Sequence, residues 1–364
     1  MARRPPLVAD PELVTSGWLT EVLQHAGAIG ADAKVTSFVA SSIGTGQVGA
    51  NVRFALTYDG TDSDGPASVV CKFASRDPDS AAAGVSTLTY ETEVAFYRDL
   101  ADTVDVSRPH CYFAEVEQGT ANVVVVMEDL APAEQGDQIA GCTVEQAVLV
   151  VEEAARLHGP RWGDPTLQQL AWLDGSRTSE GVAMMLGAIW DAFVERYRAT
   201  LDPVTLEAGP QLIALMPVIR SKAPSAPTPV HSDYRLDNML FGTSDGVRPL
   251  TVVDWQTVRL GLGPGDVAYF LGNAFEPALR RSCERDLVAR YHRSLIDDYA
   301  VDDYPLDECW DDYVRSSYNS LIMAIFASMM VGRTERGDAM FMAMANRSAQ
   351  MAADLDAPSV VSSS

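Results

Sequence analysis

The chain has 364 residues, of which 47% are hydrophobic and 21% are charged, as in ordinary globular proteins. This length is too great for one small core, and it predicts two or three lobes that share one site. The formal net charge of −23 disfavours nucleic acid as a partner, because its phosphates would be repelled over much of the surface.

The N-terminal part of the sequence predicts an antiparallel sheet with one helix inserted. A first helix is expected over residues 11–26, with Asp10 as its N-cap. Helical spacing predicts another helix over residues 86–100, between the third and fourth strands. Alternating or apolar runs predict five strands, at residues 35–40, 51–58, 67–74, 111–117 and 122–127.

The rest of the sequence is predicted to be mainly helical, so that the fold class is α+β. Helical periodicity extends over residues 144–158, 180–200, 206–221, 280–299 and 310–330. We expect an N-lobe over residues 1–127 and a hinge over 128–132. A helical C-lobe is expected over 133–356 and a disordered tail over 357–364, because the tail lacks apolar periodicity.

The strongest chemical signal is a polar loop followed by a short strand. Asp233 lies two residues after His231 and five before Asn238, and Asp254 ends the next strand. Phosphoryl transfer needs a carboxylate at the attacking hydroxyl and oxygen ligands for magnesium. We therefore predict Asp233 as the catalytic base, and Asn238 and Asp254 as metal ligands. Each residue alone could instead cap a turn or end a strand, and His231 is expected to support the loop.

A glycine-rich segment, Gly44-Thr45-Gly46-Gln47-Val48-Gly49, has the spacing of phosphate-binding loops in both Rossmann folds and kinases. A Rossmann fingerprint opens a helix, whereas residues 51–58 alternate with a period of two and predict a strand. We therefore favour a strand-turn-strand loop in which Gly44, Thr45, Gly46 and Gln47 bind phosphate. An ordinary hairpin turn is the alternative.

Lys72 interrupts an apolar strand, which is a costly position unless its ammonium group has a partner. The expected partners are nucleotide phosphates and a glutamate of the following helix. Glu93 is preferred to Glu91, although the helix phase does not decide between them. In the alternative, Lys72 extends its charge into solvent.

Together these residues resemble the aminoglycoside phosphotransferase and choline kinase family of the protein-kinase-like fold, especially its bacterial and ecdysteroid-kinase-like members. The resemblance covers about residues 35–274. Besides the segments above, the motifs that carry it are Met127-Glu128-Asp129-Leu130, Leu157-His158-Gly159-Pro160-Arg161-Trp162, Asp254-Trp255-Gln256 and Gly265-Asp266-Val267-Ala268-Tyr269, in which Tyr269 is given no role.

The resemblance implies a two-lobe kinase fold in which the main chain near Glu128 and Leu130 binds adenine. It also implies that Asp266 caps a helix and braces the catalytic loop, with His231 and Arg235 as further structural support. Ser232 departs from the family, which usually has glycine there. The Ala-Pro-Glu activation segment of protein kinases is missing, so that a protein substrate is disfavoured.

Two kinds of side chain in residues 163–221 and 310–351 are candidates for binding the acceptor. Acids suit an aminoglycoside, another amino sugar or a choline-like cation, whereas methionine and tryptophan suit a sterol-like or macrolide-like alcohol. For the apolar set, helix core is the simpler interpretation. The acids are Asp174, Glu180, Asp191, Glu195, Asp311 and Asp312, and the apolar residues are Trp172, Met184, Met185, Trp190, Phe326, Met329 and Met330.

The expected function is therefore phosphorylation of a small-molecule hydroxyl group with ATP, or with GTP instead, and Mg²⁺. A silent nucleotide-binding pseudokinase or regulatory module is the alternative. Five scattered cysteines without a Cys-x-x-Cys pair favour a reducing compartment. Since neither a signal peptide nor a membrane span is recognisable, we expect a cytoplasmic protein that binds no membrane. Both a monomer and a homodimer are compatible with the sequence.

Overall fold

The computed structural model describes residues 4–44, 49–59, 65–221, 224–242 and 248–363. The chain forms two compact units, and residues 128–132, which we predicted as a hinge, group with the first. The first unit comprises Met1–Asp102, Arg108–Pro132 and Asp254–Gln256, and the second comprises Thr103–Ser107, Ala133–Val253 and Thr257–Ser364.

The first unit is built on a five-stranded antiparallel sheet with the strand order β1-β2-β3-β5-β4, which confirms the predicted sheet. Five of the six residues of β5 are buried, in keeping with its inner position, whereas most of β1 is exposed at the edge. The strands are β1 Val35–Ile43, β2 Gly49–Tyr58, β3 Ser68–Ala74, β4 Cys111–Val116 and β5 Val123–Glu128.

The N-terminal helix, α1 Ser16–His25, packs Trp18 and Leu19 against one face of this sheet. The helix begins later than predicted. Asp10 caps only a short 3-10 turn at Pro11–Leu13, and the extended backbone of Val14 then interrupts the helical path. Thr15 is the cap of α1 itself, because its side chain accepts a hydrogen bond from the N–H of Trp18.

The single helix predicted over residues 86–100 is wrong, because the backbone breaks at Leu88. This residue has a φ of +60°, in the left-handed region, and its side chain is 49% exposed, so it belongs to no apolar face. The segment instead contains α2 Pro78–Ser86, α3 Thr89–Ala95 and a π-helix at Phe96–Leu100. Tyr90 and Val94 of α3 pack on the sheet face opposite α1.

The second unit is mainly helical and also contains two small sheets, of order β10-β7 and β6-β8-β9. Its central helix is α7, in which every residue is buried. The helices are α4 Val144–His158, α5 Ser176–Tyr197, α6 Pro203–Ser221, α7 Gly263–Ala274, α8 Pro277–Tyr299, α9 Leu306–Arg315, α10 Asn319–Met330, α11 Glu335–Asp354 and α12 Ala357–Ser363, and the strands are β6 Glu134–Gln135, β7 Thr228–Val230, β8 Met239–Phe241, β9 Leu250–Val252 and β10 Arg259–Gly261.

Two predictions for the C-terminal region are wrong. The helix expected over residues 310–330 is divided into α9 and α10 by a 3-10 turn at Ser316–Tyr318, where serine side chains are poor helix formers. The tail expected to be disordered forms α12, which packs against α6 and α9. Its Ala357 and Val361 are four residues apart and therefore bury one helical face.

Within the described residues, no helix is long and apolar enough to cross a membrane. All five cysteines are free thiols.

We predict that Val361→Ala lowers the free energy of unfolding by about 1–2 kcal/mol, because two buried methyl groups are lost. Val360 is only half-buried, so Val360→Ala is a matched control that should cost clearly less. Urea denaturation of both variants measures the difference. Equal stabilities for the two variants would show that the tail does not pack.

Candidate active site

Lys72 of β3 forms ion pairs with two carboxylates of the first unit. Its Nζ lies 2.9 Å from Glu93 Oε1 and 2.7 Å from Asp254 Oδ1, and its side chain is only 11% exposed. Burial alone would lower the pKa of Lys72, but attraction to Asp254 and Glu93 outweighs this effect and raises the pKa. Lys72 is therefore a fixed cation and does not extend into solvent.

Glu93, and not Glu91, is the glutamate that faces Lys72. The two glutamates are about 200° apart around the axis of α3, so only one of them can point to the sheet. Glu93 is buried, and burial is the first cause of its raised pKa, which Lys72 opposes. Glu91 instead accepts a hydrogen bond from the N–H of Gly119 at 2.9 Å.

Asp254 has a left-handed backbone with a φ of +70°, which is unusual for a residue with a side chain. The next residue, Trp255, is fully buried and stacks on Phe96 with ring centroids 4.1 Å apart. The side chain of Gln256 donates a hydrogen bond to Asp254 Oδ2 at 3.3 Å. Stacking and pairing thus fix the carboxylate of Asp254 beside Lys72.

The glycine-rich segment joins β1 and β2, which pair as an antiparallel hairpin up to Ile43 and Asn51. A strand and not a helix follows the glycines, as we predicted against a Rossmann fold. Of the predicted phosphate-binding residues, Gly44 is described and has a φ of +73°. Thr45, Gly46 and Gln47 lie outside the described residues.

Gly49 of this segment is required for close approach to Lys72. A Cβ atom added to Gly49 would lie 3.0 Å from Lys72 Cε and 3.2 Å from the carbonyl oxygen of Phe73. These distances are shorter than nearly all contacts that Cβ atoms make in proteins. Glycine, which has no Cβ atom, therefore leaves room for the side chain of Lys72.

The segment predicted to bind adenine begins at Glu128, the last residue of β5. The N–H of Glu128 donates to the carbonyl of His110 at 2.8 Å, and Leu130 is buried. Between them, Asp129 accepts two hydrogen bonds from Arg53 of β2 and one from Ser68 of β3. The segment is therefore anchored to the sheet by a partly buried ion pair.

In the second unit, Asp266 of α7 holds the loop formed by residues 231–238. Its two carboxylate oxygens accept the backbone N–H groups of His231 at 2.6 Å and of Ser232 at 2.9 Å. The ring of His158 also contacts Asp266, with Nε2 at 3.2 Å. We had expected Asp266 to be the N-cap of α7, and this prediction is wrong. The N-cap is Leu262, and Asp266 lies within the helix.

His231 is fully buried and supports the loop from inside. Its Nε2 lies 3.0 Å from the carbonyl of Val253, and its Nδ1 accepts the N–H of Asp233 at 3.3 Å. Since a carbonyl only accepts, Nε2 carries the proton and Nδ1 is free to accept. Both ring nitrogens are hydrogen-bonded to backbone atoms, an arrangement that agrees with the expected role of His231 as support for the loop.

Asp233 lies at the centre of a group of hydrogen-bond donors. Arg235 Nε approaches both carboxylate oxygens, at 3.0 and 3.1 Å, and Tyr269 donates its hydroxyl to Oδ1 at 2.9 Å. Asn238 donates its amide to Oδ2 at 3.0 Å. Burial would raise the pKa of Asp233, but Arg235, His231 and Tyr269 outweigh it and hold the pKa below its usual value.

The side chains of Asn238 and Asp254 fit a magnesium ion by their chemistry. The amide nitrogen of Asn238 is used by the backbone carbonyl and the carboxylate of Asp233, at 2.8 and 3.0 Å, so its amide oxygen is the atom left for a cation. Asp254 adds a carboxylate whose side chain is 27% exposed. Amide and carboxylate oxygens are the hard ligands that Mg²⁺ prefers.

Three residues of this site were missed in the sequence. Arg336, in the first turn of α11, binds Asp237 at 3.0 Å, and Asp237 in turn binds Arg235 at 2.9 Å. No local pattern connects Arg336 with a loop about a hundred positions earlier. Tyr269 could have been found, because it follows Asp266 by three residues and therefore shares its helix face.

The candidate acceptor residues have different environments. Asp312 is buried and paired with Arg315 and Tyr304, so it is used within the structure. Asp191 and Glu195 line a cavity of about 460 Å³ in the second unit, together with Trp190 and Arg198. Among the apolar candidates, the exposed side chains are Met184, Met185 and Met330, and the side chain of Glu180 lies outside the described residues.

Ser232 has a φ of +67°, and its hydroxyl is buried without a hydrogen-bond partner among the described residues. We predict that Ser232→Gly raises the free energy of unfolding by about 0.5–1 kcal/mol, because relief of the left-handed strain exceeds the entropy lost by glycine. Urea denaturation measures this gain.

Ser232→Ala is the control for this prediction, since it removes the hydroxyl but keeps the Cβ atom that causes the strain. It should gain less stability than Ser232→Gly. If alanine stabilises the protein as much as glycine does, burial of the hydroxyl and not backbone strain is the cause.

Comparison with known proteins is consistent with this geometry. The model of a phosphotransferase enzyme family matches residues 51–304. Among curated proteins, none matches the chain.

Solved structures with the same fold include two kinases of small alcohols. A choline kinase from Cryptosporidium parvum Iowa II has a TM-score of 0.54 and 10% identity, over 85% of this chain and 88% of its own. An ethanolamine kinase from Plasmodium vivax has a TM-score of 0.51 and 12% identity, over 90% and 86%. A proposed aminoglycoside phosphotransferase from Ralstonia eutropha JMP134 has a TM-score of 0.50 and 16% identity, over 92% and 98%. Identities this low show a shared fold alone.

Proposed function

Since the chain belongs to the phosphotransferase enzyme family and is a small-molecule kinase, we propose that it transfers the γ-phosphoryl group of ATP, with Mg²⁺, to a hydroxyl group of its acceptor. The observation that carries this proposal is the environment of Asp233. An ionised carboxylate that three donors hold in one orientation, and whose side chain is still partly exposed, is suited to accept a hydrogen bond from an attacking hydroxyl.

Asp233 is the proposed base. Arg235 Nε shares one hydrogen between the two carboxylate oxygens, and Tyr269 and Asn238 each supply one more. The hydrogen of Arg235 Nε is shared between the two oxygens, so the hydroxyl of the acceptor is proposed to bind the carboxylate by replacing one half of this forked contact. Asp233 orients this hydroxyl toward the γ-phosphorus atom and takes its proton as the new P–O bond forms and the bond between phosphorus and the ADP oxygen breaks.

Lys72 is the proposed cationic ligand of the nucleotide phosphates. Its pairing with Glu93 and Asp254 holds the ammonium group in one position, so little conformational entropy is lost when phosphate binds. The glycine-rich segment, with Gly44, Thr45, Gly46 and Gln47, is proposed to cover the phosphates with backbone N–H groups.

Asn238 and Asp254 are proposed to hold the magnesium ion. The N–H of Val253 donates to the carbonyl of Asn238 at 3.0 Å, and Asp254 is the next residue in the chain, which supports a common ion. When bound, Mg²⁺ would neutralise charge on the transferred phosphoryl group and its leaving oxygen.

Adenine is proposed to bind the main chain near Glu128 and Leu130, which the Arg53–Asp129 ion pair anchors to the sheet. A backbone site of this kind recognises a purine edge, so GTP is the alternative donor. Competition between ATP and GTP for binding decides between them.

The acceptor is proposed to be an aminoglycoside or amino sugar, a choline-like cation, or a sterol-like or macrolide-like alcohol. Exposed Asp191 and Glu195 support a cationic acceptor, and exposed Met184, Met185 and Met330 support an apolar one. A panel of these alcohols, screened with MgATP for new phosphomonoester signals by ³¹P NMR, identifies the class. We also place the enzyme in the cytoplasm, where its free thiols would stay reduced, and we expect neither membrane nor nucleic-acid partners.

We predict that Asp233→Asn lowers kcat by about 10²–10⁴-fold, because the amide cannot accept the hydroxyl proton. Affinity for MgATP should remain close to that of the wild type, since Asp233 contacts the acceptor and not the nucleotide. Steady-state kinetics and calorimetric titration measure the two quantities. If Asp233→Asn turns over at nearly the wild-type rate, the proposed role of Asp233 is disproved. If the wild-type protein phosphorylates no member of the panel, the alternative of a catalytically silent nucleotide-binding module is indicated.

For the metal site, we predict that Asp254→Asn weakens binding of MgATP by about tenfold or more, or about 1.4 kcal/mol. In EDTA, where no magnesium is bound, the substitution should weaken the binding of ATP less. Under that condition it removes a negative charge that repels the phosphates. Calorimetric titration under both conditions makes the comparison, with exposed Asp302→Asn as the matched control. An equal loss with and without magnesium would contradict the assignment.

A further inference from the structure

Tyr269 is the residue nearest the proposed base that neither the motif nor the family comparison assigns. Its hydroxyl lies 2.9 Å from Asp233 Oδ1, and the residue is 2% exposed. A buried phenol hydroxyl needs a partner, so the contact alone could serve only to satisfy Tyr269. The surroundings of the pair decide what else it does.

The carboxylate of Asp233 has one soft torsion, about the bond between Cβ and Cγ. For such a terminal bond the energy wells are broad, so the plane of the carboxylate is set by its hydrogen bonds. The hydrogen that Arg235 Nε shares between Oδ1 and Oδ2, at 3.0 and 3.1 Å, does not distinguish the two oxygens. Asn238 binds Oδ2 and Tyr269 binds Oδ1, so these two donors define the plane.

Tyr269 is also held in place by the helix to which it belongs. It belongs to α7, in which every residue is buried. One turn earlier in this helix, Asp266 accepts hydrogen bonds from the N–H groups of His231 and Ser232. One turn later, Asn273 donates to the carbonyl of Tyr269 and accepts from Ser320 of α10. The same face of α7 thus positions both the backbone of the loop and the carboxylate at its centre.

We propose that Tyr269 is a positioning residue for Asp233, which orients the carboxylate so that its oxygens face the attacking hydroxyl. This inference rests on the proposed role of Asp233 as the base. Because burial and the neighbouring Asp233 raise the pKa of Tyr269, the phenol remains a neutral donor and transfers no proton itself.

Tyr269→Phe tests the inference, and Tyr313→Phe is its matched control. Tyr313 is equally buried and donates its hydroxyl to a carboxylate, Glu284, at 3.0 Å, but away from the loop. Both variants should lose a similar few degrees of Tm. Only Tyr269→Phe should lower kcat, by about tenfold, with KM for ATP within about twofold of the wild type. MgATP with water as the acceptor is the assay, so no acceptor alcohol is needed.

A second measurement does not depend on turnover. In protein labelled with [4-¹³C]aspartate, Asp233→Asn identifies the carboxyl resonance of Asp233. Tyr269→Phe should shift this resonance at neutral pH, and Tyr313→Phe should leave it in place.

An unchanged resonance in Tyr269→Phe, or equal kcat values for the two tyrosine variants, overturns the inference. If the wild type neither hydrolyses MgATP nor phosphorylates any member of the alcohol panel while the resonance shifts as expected, the hydrogen bond that orients Asp233 is established. In that case it is the proposed function, and not the positioning by Tyr269, that has failed.

Discussion

Asp266 is a carboxylate inside a fully buried helix, and hydrogen bonds contribute to the compensation of its charge. The N–H groups of His231 and Ser232 supply two of these bonds, and the ring of His158 contacts the same carboxylate. Removing the loop from Asp266 would take two hydrogen bonds away from a buried carboxylate, at a cost of several kcal/mol. The left-handed turn at Ser232 is held by this penalty, and the direction of Asp233 depends on that turn.

Charge is balanced in the 231–238 loop, although the whole protein carries a net charge of −23. In the 231–238 loop, Asp233 and Asp237 are matched by Arg235 and Arg336. In the first unit, Lys72 lies between two carboxylates, which leaves an excess of one negative charge before any ligand binds. A divalent cation would reverse that excess, so an acidic protein can still hold a nucleotide triphosphate.

The sequence predicted the residues whose roles depend on short spacing, and it missed those that depend on distant packing. The strand that follows the glycines and the lysine in β3 are local patterns, and so are the polar residues of the loop. The break at Leu88 depends on one left-handed residue, and α12 is stabilised by contact with α6 and α9. The ion pair between Arg336 and Asp237 joins helix α11 to a loop about a hundred residues earlier in the chain. Local periodicity in the sequence therefore cannot predict it.

The lowered pKa of Asp233 bears on how such a base acts. A carboxylate with a pKa below its usual value is a weak acceptor of protons, and it could not deprotonate an alcohol in the ground state. In a loose phosphoryl-transfer transition state the attacking oxygen becomes acidic only late, when bond formation has begun. Before that stage the useful property of Asp233 is the direction of its carboxylate oxygens. The donors that lower the pKa of Asp233 also fix the direction of its carboxylate. The same hydrogen bonds therefore make Asp233 a weaker base and orient it better.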